Sequence, residues 1–310
     1  MTERILVTGA GGFLGSRMCR YFGERGYSIA AVGRFSKAPD SLRSYPNLHM
    51  IGGMTLPDRR FAELVADFHP SLMVHCAGTA SVAESVKKPY SDFQRTVEVC
   101  AFALETVRVH VPECLFVLLS SAAVYGNPVS LPVAETAPLH PVSPYGYHKM
   151  MCEALAEEYA ELYDLRTVVL RIFSAYGEGL QRQVVFDLFR KFAAEGSDAV
   201  EIMGTGNESR DFIHGDDVAR AIEYLAKSSS SGIFNAASGV QTKISDLVER
   251  VQRVSGSTRP VRFNGAVRAG DPLDWKADIT KIASLGFSPV ISLDTGLERF
   301  FHWYSEMHHQ

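Results

Sequence analysis

A tyrosine and a lysine four residues apart are the pair in this sequence best suited to moving a proton. Tyr145 and Lys149 stand in the run Ser-Pro-Tyr-Gly-Tyr-His-Lys, and a helical pattern continues from there to about Tyr159. A spacing of four places both side chains on one helix face. A tyrosine pKa is about 10, and a lysine charge about 5 Å away contributes on the order of 3 kcal/mol toward ionising the phenol. The same spacing also occurs on solvated helix faces, so other motifs must support this interpretation.

Two serines follow a continuously apolar run that is typical of a central parallel strand. Leu-Phe-Val-Leu-Leu, residues 115–119, leads directly into Ser120 and Ser121. In an open α/β sheet, ligands bind at the edge formed by the carboxyl ends of the strands. Further apolar runs at 4–8, 27–32, 72–78 and 167–171 alternate with helical patterns. The sequence therefore predicts an α/β fold, a Rossmann-type doubly wound parallel sheet, with the serines at its ligand-binding edge.

A glycine-rich turn follows the first predicted strand and precedes a predicted helix. Gly9, Gly12 and Gly15 are spaced G-x-x-G-x-x-G, with Phe13 and Leu14 between the last two. Glycines allow the backbone to approach a pyrophosphate closely, and a helix N-terminus offers free N–H groups to it. This turn predicts a dinucleotide site that includes all five residues.

The end of the second predicted strand carries basic residues where an NAD site usually has an acid. The sequence there is Gly-Arg-Phe-Ser-Lys, residues 33–37. Arg34, Ser36 and Lys37 suit a ribose 2′-phosphate better than a free 2′-hydroxyl. The sequence therefore favours NADP over NAD as the cofactor.

Composition narrows the classes of partner and location. The chain has 310 residues, is 46% hydrophobic and 21% charged, and carries a net charge of −4. No basic run is present, so we expect no nucleic-acid partner. Five scattered cysteines without metal-ligand spacing predict free thiols and no metal site. With no signal peptide and no long apolar segment, the sequence predicts a cytoplasmic protein without a membrane partner.

Taken together, these motifs resemble the extended short-chain dehydrogenase/reductase family, which contains nucleotide-sugar epimerases, dehydratases and reductases. The resemblance runs from Gly9 to Tyr304. Eight family patterns have counterparts in the chain. They are T-G-x-x-G-F-I/L-G at 8–15, H-x-A-A/G at 75–78, S-V-x-x-S at 81–85, S-S/T-x-x-V-Y-G at 120–126, S-P-Y-x-x-S/T-K at 143–149, R-x-F-N-x-Y-G at 171–177, R-D-F-I/V-H/Y-x-x-D-V-A at 210–219 and R-x-G-D at 268–271.

The resemblance implies specific roles for the matching residues. Tyr145 would exchange a proton with the sugar oxygen at the reacting carbon, Lys149 would bind the nicotinamide ribose and lower the Tyr145 pKa, and Ser121 would hydrogen-bond the same oxygen. Ala77 and Gly78 would line the cofactor site. The implied substrate-binding residues are Ser81, Ser121, Ser174, Arg210 and Arg268, of which the two arginines would hold the substrate diphosphate.

The resemblance also implies two lobes. Residues 1–175, with about 213–237, would form an NADP-binding Rossmann domain. About 176–212 and 238–310 would form a smaller, mixed α/β lobe that binds a nucleotide sugar. A homodimer is expected through the helix after about Pro89 and the helix that starts at Tyr145, which carries the apolar residues Met150, Met151, Leu155, Tyr159 and Leu162.

Departures from the family patterns restrict the reaction. Ala122 and Ala123 occupy positions where 4,6-dehydratases carry acids, so an elimination of that kind is excluded. Ser174 replaces the family asparagine, and Thr96 stands where another asparagine is usual. His148 takes the Ser/Thr position before Lys149. We expect its imidazole to face solvent or a neighbouring subunit, and we assign it no catalytic role.

Two enzymatic functions fit these residues. The first and preferred one is an NADPH-dependent 4-reductase of a nucleotide-linked 4-keto-(6-deoxy) sugar. The second is a nucleotide-sugar C4 epimerase similar to UDP-glucose 4-epimerase, which usually holds NAD. A non-catalytic NADP sensor is the third hypothesis, but it predicts loss of Ser121, Tyr145 and Lys149, all of which are present.

Overall fold

The computed structural model describes residues 3–36, 42, 45–194, 196, 198–266 and 273–308. The strands in chain order are β1 (Arg4–Thr8), β2 (Ser28–Val32), β3 (Leu48–Ile51), β4 (Leu72–His75), β5 (Leu115–Ser121), β6 (Thr167–Ile172), β7 (Ser174–Tyr176), β8 (Val200–Ile202), β9 (Ser209–His214), β10 (Gly232–Ala236), β11 (Gln241–Lys243) and β12 (Val261–Phe263).

Helices connect these strands. In chain order they are α1 (Phe13–Glu24), α2 (Arg59–Phe68), α3 (Val82–Lys87), α4 (Pro89–Phe93), α5 (Val99–His110), α6 (Pro144–Tyr163), α7 (Gln183–Ala193), α8 (Gly215–Lys227), α9 (Ile244–Ser255), α10 (Thr280–Ala283) and α11 (Leu293–His308). A π-helical segment, Gln94–Glu98, joins α4 to α5, and a short 3₁₀ turn, Ala122–Val124, follows β5. No helix in these described ranges is long and apolar enough to cross a bilayer.

The main sheet confirms the predicted fold class. Seven parallel strands are ordered β10-β6-β5-β4-β1-β2-β3. The strand order reverses between β1 and β4, and such a switch point opens a ligand crevice at the carboxyl edge of the sheet. One face of the sheet is covered by α1 and α8, and the other by α2, α5 and α6. The apolar runs named from the sequence include neither of the two edge strands, β3 and β10.

Smaller sheets and a separate apolar cluster lie in the later part of the chain. Strands β11, β9 and β7 form one sheet, and β12 pairs with β8 in another. The apolar faces of α7, α9 and α11 pack together around Leu188, Leu247 and Phe300, all of which are buried. These elements occupy the predicted mixed α/β region, and the division of the chain into two lobes stays a prediction.

Candidate active site

The first turns of α6 position Tyr145 and Lys149. The Ser143 hydroxyl caps this helix by accepting a hydrogen bond of 3.2 Å from the Gly146 amide, and Pro144 occupies its first turn. The Tyr145 amide donates to the Ser85 hydroxyl at 3.0 Å, which fixes the helix start against α3. The helix therefore begins beside α3 with Tyr145 in its first turn.

Lys149 connects this helix to the end of β5. Its side chain is buried, and Nζ donates a hydrogen bond of 2.8 Å to the Leu119 carbonyl. The same Nζ lies 6.0 Å from the centre of the Tyr145 ring. At Gly146, an added Cβ would lie only 2.7 Å from the Ala123 carbonyl oxygen, so the helix start touches the turn that follows Ser121. The structure thus brings Ser121, Tyr145 and Lys149 to one edge of the sheet.

Ser121 stands at the point where β5 becomes a 3₁₀ turn. Its hydroxyl oxygen accepts a hydrogen bond of 3.2 Å from the Ala123 amide, and its side chain is only partly buried. Accepting this bond leaves the hydroxyl proton available to a substrate oxygen. Ala122 and Ala123 bring only methyl groups to this turn, so they supply no acid or base.

A buried polar network lies directly behind these residues. The Arg171 guanidinium binds the Glu153 carboxylate at 2.7–3.1 Å and also donates to the Tyr125 hydroxyl at 3.0 Å. The Ser120 hydroxyl donates to the same carboxylate. Burial raises the pKa of Tyr125 to about 12 although the Arg171 charge opposes that rise. The network joins β5, β6 and α6. The sequence indicated Arg171 only as the first residue of the R-x-F-N-x-Y-G pattern.

The glycine turn is packed too tightly for side chains. Gly9 adopts a left-handed conformation with φ of 65°, and an added Cβ would lie 2.7 Å from the Cys76 carbonyl oxygen. At Gly15 an added Cβ would lie 2.2 Å from the Gly9 carbonyl oxygen. Gly12 is exposed and precedes α1, so the first turn of that helix opens to the crevice between β1 and β4. This cradle fits the pyrophosphate of a dinucleotide.

Phe13 and Leu14, the other residues predicted for this turn, are half-buried at the start of α1. Arg17, one turn later, is buried and forms ion pairs with Glu178 and Asp216. His214 Nε2 lies 2.9 Å from a Glu178 carboxylate oxygen. Burial alone would raise the pKa of Glu178, but His214 and the Arg17 charge hold it at about 2. This cluster, which the sequence did not indicate, anchors the cofactor-turn helix to the segments after β7 and β9.

The end of β2 has no room for the acid of an NAD site. An added Cβ at Gly33 would lie 2.5 Å from the Phe35 ring. The Arg34 and Ser36 side chains are exposed beside this position. Lys37, the third predicted phosphate contact, lies outside the described residues. Within the described part of the β2–β3 connection, no acidic side chain is present.

The end of β4 carries a buried neutral histidine. Burial, with a smaller contribution from the Lys149 charge, lowers the pKa of His75 to about 3. His75 Nδ1 lies 3.1 Å from the Thr8 hydroxyl, which also accepts a bond of 3.2 Å from the Ala77 amide. These bonds fix Ala77 and Gly78 beside the glycine turn, where the sequence predicts cofactor contacts.

The predicted substrate-binding residues lie in three places. Ser81 caps α3 by accepting a 3.2 Å hydrogen bond from the Glu84 amide. Ser174 begins β7, and Arg210 lies on the neighbouring strand β9, so one small sheet carries both. The Arg210 guanidinium donates to the Ser209 and Leu273 carbonyl oxygens and lies 5.7 Å from the centre of the Trp275 ring. Arg268 lies outside the described residues.

His148 does not face solvent, so that expectation is wrong. The residue is 8% exposed, and its Nδ1 lies 2.5 Å from the Asp92 carboxylate. Asp92 itself is 3% exposed and lies on α4. The sequence offered no signal for this pair. Its members are 56 residues apart, Asp92 lies outside the family motifs, and His148 replaces a Ser/Thr in one of them.

The sequence profile described as "NAD dependent epimerase/dehydratase family" matches residues 5–237. A UDP-glucose 4-epimerase of Rhizobium leguminosarum bv. trifolii is 29% identical over 98% of this chain and 98% of its own length. The match therefore extends beyond the seven-stranded sheet into the C-terminal region.

Solved structures extend the same likeness. UDP-N-acetylglucosamine 4-epimerase from Methanobrevibacter ruminantium M1, in complex with UDP-N-acetylmuramic acid, superposes with a TM-score of 0.90 at 26% identity, covering 99% of this chain and 100% of that one. UDP-glucuronic acid 4-epimerase from Bacillus cereus, in complex with UDP-glucuronic acid and NAD, gives 0.88 at 26% identity, covering 98% and 99%.

Proposed function

This chain belongs to the NAD dependent epimerase/dehydratase family, and from that premise we propose that it is a nucleotide-sugar 4-epimerase. The relatives described above are named as 4-epimerases of UDP-sugars, and they align over nearly the whole chain. The proposal reverses the order of preference given by the sequence, which placed a 4-keto-sugar reductase first on the basis of Arg34.

The observation that carries the proposal is that the site offers one group for proton exchange, the Tyr145 side chain. Tyr145, Lys149 and Ser121 converge at the sheet edge, whereas Ala122 and Ala123 supply only methyl groups beside them. An elimination would need a further acid or base at a neighbouring carbon. A reversible oxidation at one carbon needs only one proton acceptor and one hydrogen-bond donor at the reacting oxygen.

In this mechanism, the Tyr145 phenolate removes the proton from the C4 hydroxyl as the C4–H bond breaks with its electron pair. The chemistry that a bound nicotinamide dinucleotide supplies is reversible acceptance of that hydride. Ser121 donates its free hydroxyl proton to the same oxygen in the 4-keto sugar. After the keto sugar rotates, Tyr145 would return the proton to O4, and C4 would be reduced on its opposite face by the hydride that the dinucleotide supplies.

Binding and orientation are the proposed roles of the surrounding residues. Lys149, held by Leu119, would bind the nicotinamide ribose, while Gly9, Gly12 and Gly15 would admit the pyrophosphate. Arg210 would hold the diphosphate of the sugar nucleotide, and its planar guanidinium suits that task. The sequence assigns the same role to Arg268, together with polar contacts from Ser81 and Ser174.

We propose NAD as the working cofactor. The epimerase of B. cereus was solved with NAD, and an epimerase returns its hydride within each turnover and therefore needs no reducing pool. Arg34 remains the feature that favours NADP, because its exposed guanidinium could bind a 2′-phosphate. We expect NADP to bind through Arg34 without being required for turnover.

One experiment separates the epimerase from the reductase. The purified chain is incubated with NAD⁺ and, in separate reactions, UDP-glucose, UDP-N-acetylglucosamine and UDP-glucuronic acid, and C4 epimers are followed by NMR. A second set combines NADPH with nucleotide 4-keto-6-deoxy sugars. Epimer interconversion without net change in cofactor supports the proposal. Stoichiometric NADPH oxidation without epimerisation supports the reductase and contradicts the epimerase.

We also propose a homodimer formed by α5 and α6. Met151 and Leu162 on α6 are 42% and 68% exposed, and Tyr90 on the preceding α4 is 71% exposed. Exposed apolar side chains in this number suit a helical interface between two copies. Light scattering at micromolar concentration should give twice the chain mass, and a monomer mass would contradict the proposal.

A further inference from the structure

His148 begins a chain of buried hydrogen bonds that leads away from the catalytic helix. It directly precedes Lys149 on α6, and its Nδ1 lies 2.5 Å from Oδ2 of Asp92. The Phe93 ring meets the imidazole edge-on, with ring centres 5.7 Å apart. A carboxylate only accepts hydrogen bonds, so Nδ1–H of His148 donates to Asp92.

Asp92 holds a second donor with its other oxygen. The Thr79 hydroxyl donates to Oδ1, so the two carboxylate oxygens face two different elements. Within the described ranges, Asp92 has no lysine or arginine within salt-bridge distance, and its basic neighbour is the imidazole of His148. A buried carboxylate is costly unless donors satisfy it. Asp92 therefore depends on His148 and Thr79 together.

Thr79 and Thr96 form a reciprocal pair that extends the chain. Their hydroxyl oxygens lie 3.1 Å apart, and the Thr79 amide donates to Oγ1 of Thr96 at 3.3 Å. Because the Thr79 hydroxyl proton is used at Asp92, the Thr96 hydroxyl must donate to Thr79. Thr96 lies in the π-helical segment Gln94–Glu98, and such segments occur frequently at functional sites.

The far end of this chain is the loop at the carboxyl end of β4. Thr79 follows Gly78, which has φ of 140°, and precedes Ser81. The loop residues 76–81 are at least partly exposed, whereas Asp92, Thr96 and His148 are buried. The buried network therefore supports the partly exposed loop that carries the proposed cofactor contact Gly78 and the proposed substrate contact Ser81.

We propose that His148 and Asp92 are positioning residues that hold loop 77–81 in register with α6, acting through the Thr79 hydroxyl. The proposal rests on the proposed function, since loop 77–81 and Tyr145 would face the same sugar. His148 lies on the helix of Tyr145 and Lys149, while Thr79 lies on the loop. The hydrogen bonds between them thus fix the two sides of the site relative to each other.

Variants of His148 provide the test. Asparagine can place an amide N–H near the position of Nδ1, whereas leucine fills the space without a donor. His148→Leu should lower kcat by about 10-fold to 100-fold, because small displacements of a positioned group cost rates of this size. His148→Asn should stay within about 3-fold of the unaltered chain. The exposed His302 on α11 supplies the matched control, His302→Leu, which should leave kcat unchanged.

Amide exchange tests the proposal independently of turnover. In His148→Leu, the Thr79 amide should exchange hydrogen for deuterium at least about 10-fold faster, since its bond to Thr96 loses support. Thr79→Val should lower kcat to a similar extent, and combining it with His148→Leu should add little, because both changes break one chain of bonds.

Unchanged Thr79 exchange in His148→Leu would overturn the proposal, whether or not the chain proves to be an epimerase. Independent, additive effects of Thr79→Val and His148→Leu on kcat would overturn it too. If His148→Leu does not fold, equal loss of kcat in His148→Asn and Thr79→Val would contradict the role of the Nδ1 donor. Absence of epimerisation by the unaltered chain, with exchange as expected, would contradict only the proposed function.

Discussion

Lys149 donates a hydrogen bond of 2.8 Å from its ammonium group to the Leu119 carbonyl oxygen. Leu119 lies two residues before Ser121 on β5, and Lys149 lies one helical turn after Tyr145 on α6. A single bond therefore couples the strand that ends in the proposed hydrogen-bond donor to the helix that carries the proposed base. Because Lys149 is buried, its remaining N–H groups are restricted to partners within the crevice.

Replacing Tyr145 by phenylalanine tests the proposed base. The change removes one hydroxyl from a half-buried ring and should lower kcat by about 10²-fold to 10⁴-fold, the usual contribution of general acid–base catalysis. NAD⁺ binding, measured by titration calorimetry, should change little. The control is Tyr147→Phe, since Tyr147 lies on the same helix and is 47% exposed. Equal activity of the two variants would remove Tyr145 from the mechanism.

Arg34 should distinguish the two dinucleotides. Arg34→Ala removes the exposed guanidinium beside Gly33 and should weaken NADP⁺ binding by about 10-fold or more, because hydrogen bonds between charged groups contribute about 1.5–3 kcal/mol. NAD⁺ has no 2′-phosphate, so its Kd should change by less than about 2-fold. Titration calorimetry with NADP⁺ and NAD⁺ measures both dissociation constants. Equal losses for the two cofactors would show that Arg34 does not contact the 2′ position.

His75 should make stability depend on pH. Its pKa is lowered to about 3 by burial, whereas an unfolded histidine titrates at about 6.5. Between these values the unfolded chain binds more protons, so stability falls as pH decreases through this window. From pH 7 to pH 5 this group alone should lower the free energy of unfolding by about 2 kcal/mol.

Urea unfolding at several pH values measures this dependence. His75→Asn removes the titrating ring while keeping a polar atom near Thr8, so its stability should vary less between pH 7 and pH 5. Ordinary carboxyl groups titrate mainly below this range, which limits their contribution. His49→Asn, a change at an exposed histidine on β3, should retain the full dependence. Parallel curves for the unaltered chain and His75→Asn would contradict the assignment.

The sequence predicted the main sheet because its central strands are short, mostly apolar runs that alternate with helical patterns. The runs at 4–8, 115–119 and 167–171 became β1, β5 and β6 with small changes at their ends. The same logic missed β3, where the alternating pattern Leu-His-Met-Ile carries an exposed histidine. Edge strands of this kind bury less surface and leave a weaker pattern.

The proposed catalytic residues could be found because they stand in local motifs, whereas their supports could not. Ser121, Tyr145 and Lys149 are recognisable within a few neighbours. Asp92 on α4 and His148 on α6 meet only when these two helices pack together, and no spacing in the sequence connects them. The helix predicted after about Pro89 also contains the π-helical turn at Gln94–Glu98, which periodicity alone does not reveal.

Ser120 and Ser121 are adjacent at the end of β5, so a stabilising role and a catalytic role can be tested on neighbouring residues. Ser120 is 4% exposed and donates to the buried Glu153 carboxylate. Ser120→Ala removes one donor from that carboxylate and should lower the free energy of unfolding by about 1–3 kcal/mol. Ser121 is more exposed and caps only the short turn at Ala123. Ser121→Ala should change stability by about 0.5 kcal/mol or less.

Activity should show the opposite order. Ser121→Ala removes the hydroxyl proposed to donate to the reacting oxygen, so kcat should fall by about 10²-fold, as for other donors to a developing oxyanion. Ser120→Ala should retain kcat to within a few fold at a temperature where it is folded, because Arg171 still binds Glu153 and fixes β6 to α6. Denaturant unfolding and steady-state kinetics on the two variants provide the comparison. A larger loss of kcat in Ser120→Ala than in Ser121→Ala would contradict the role proposed for Ser121. Successive strand residues point to opposite sides, so the catalytic hydroxyl would then lie on the face of β5 that carries Ser120.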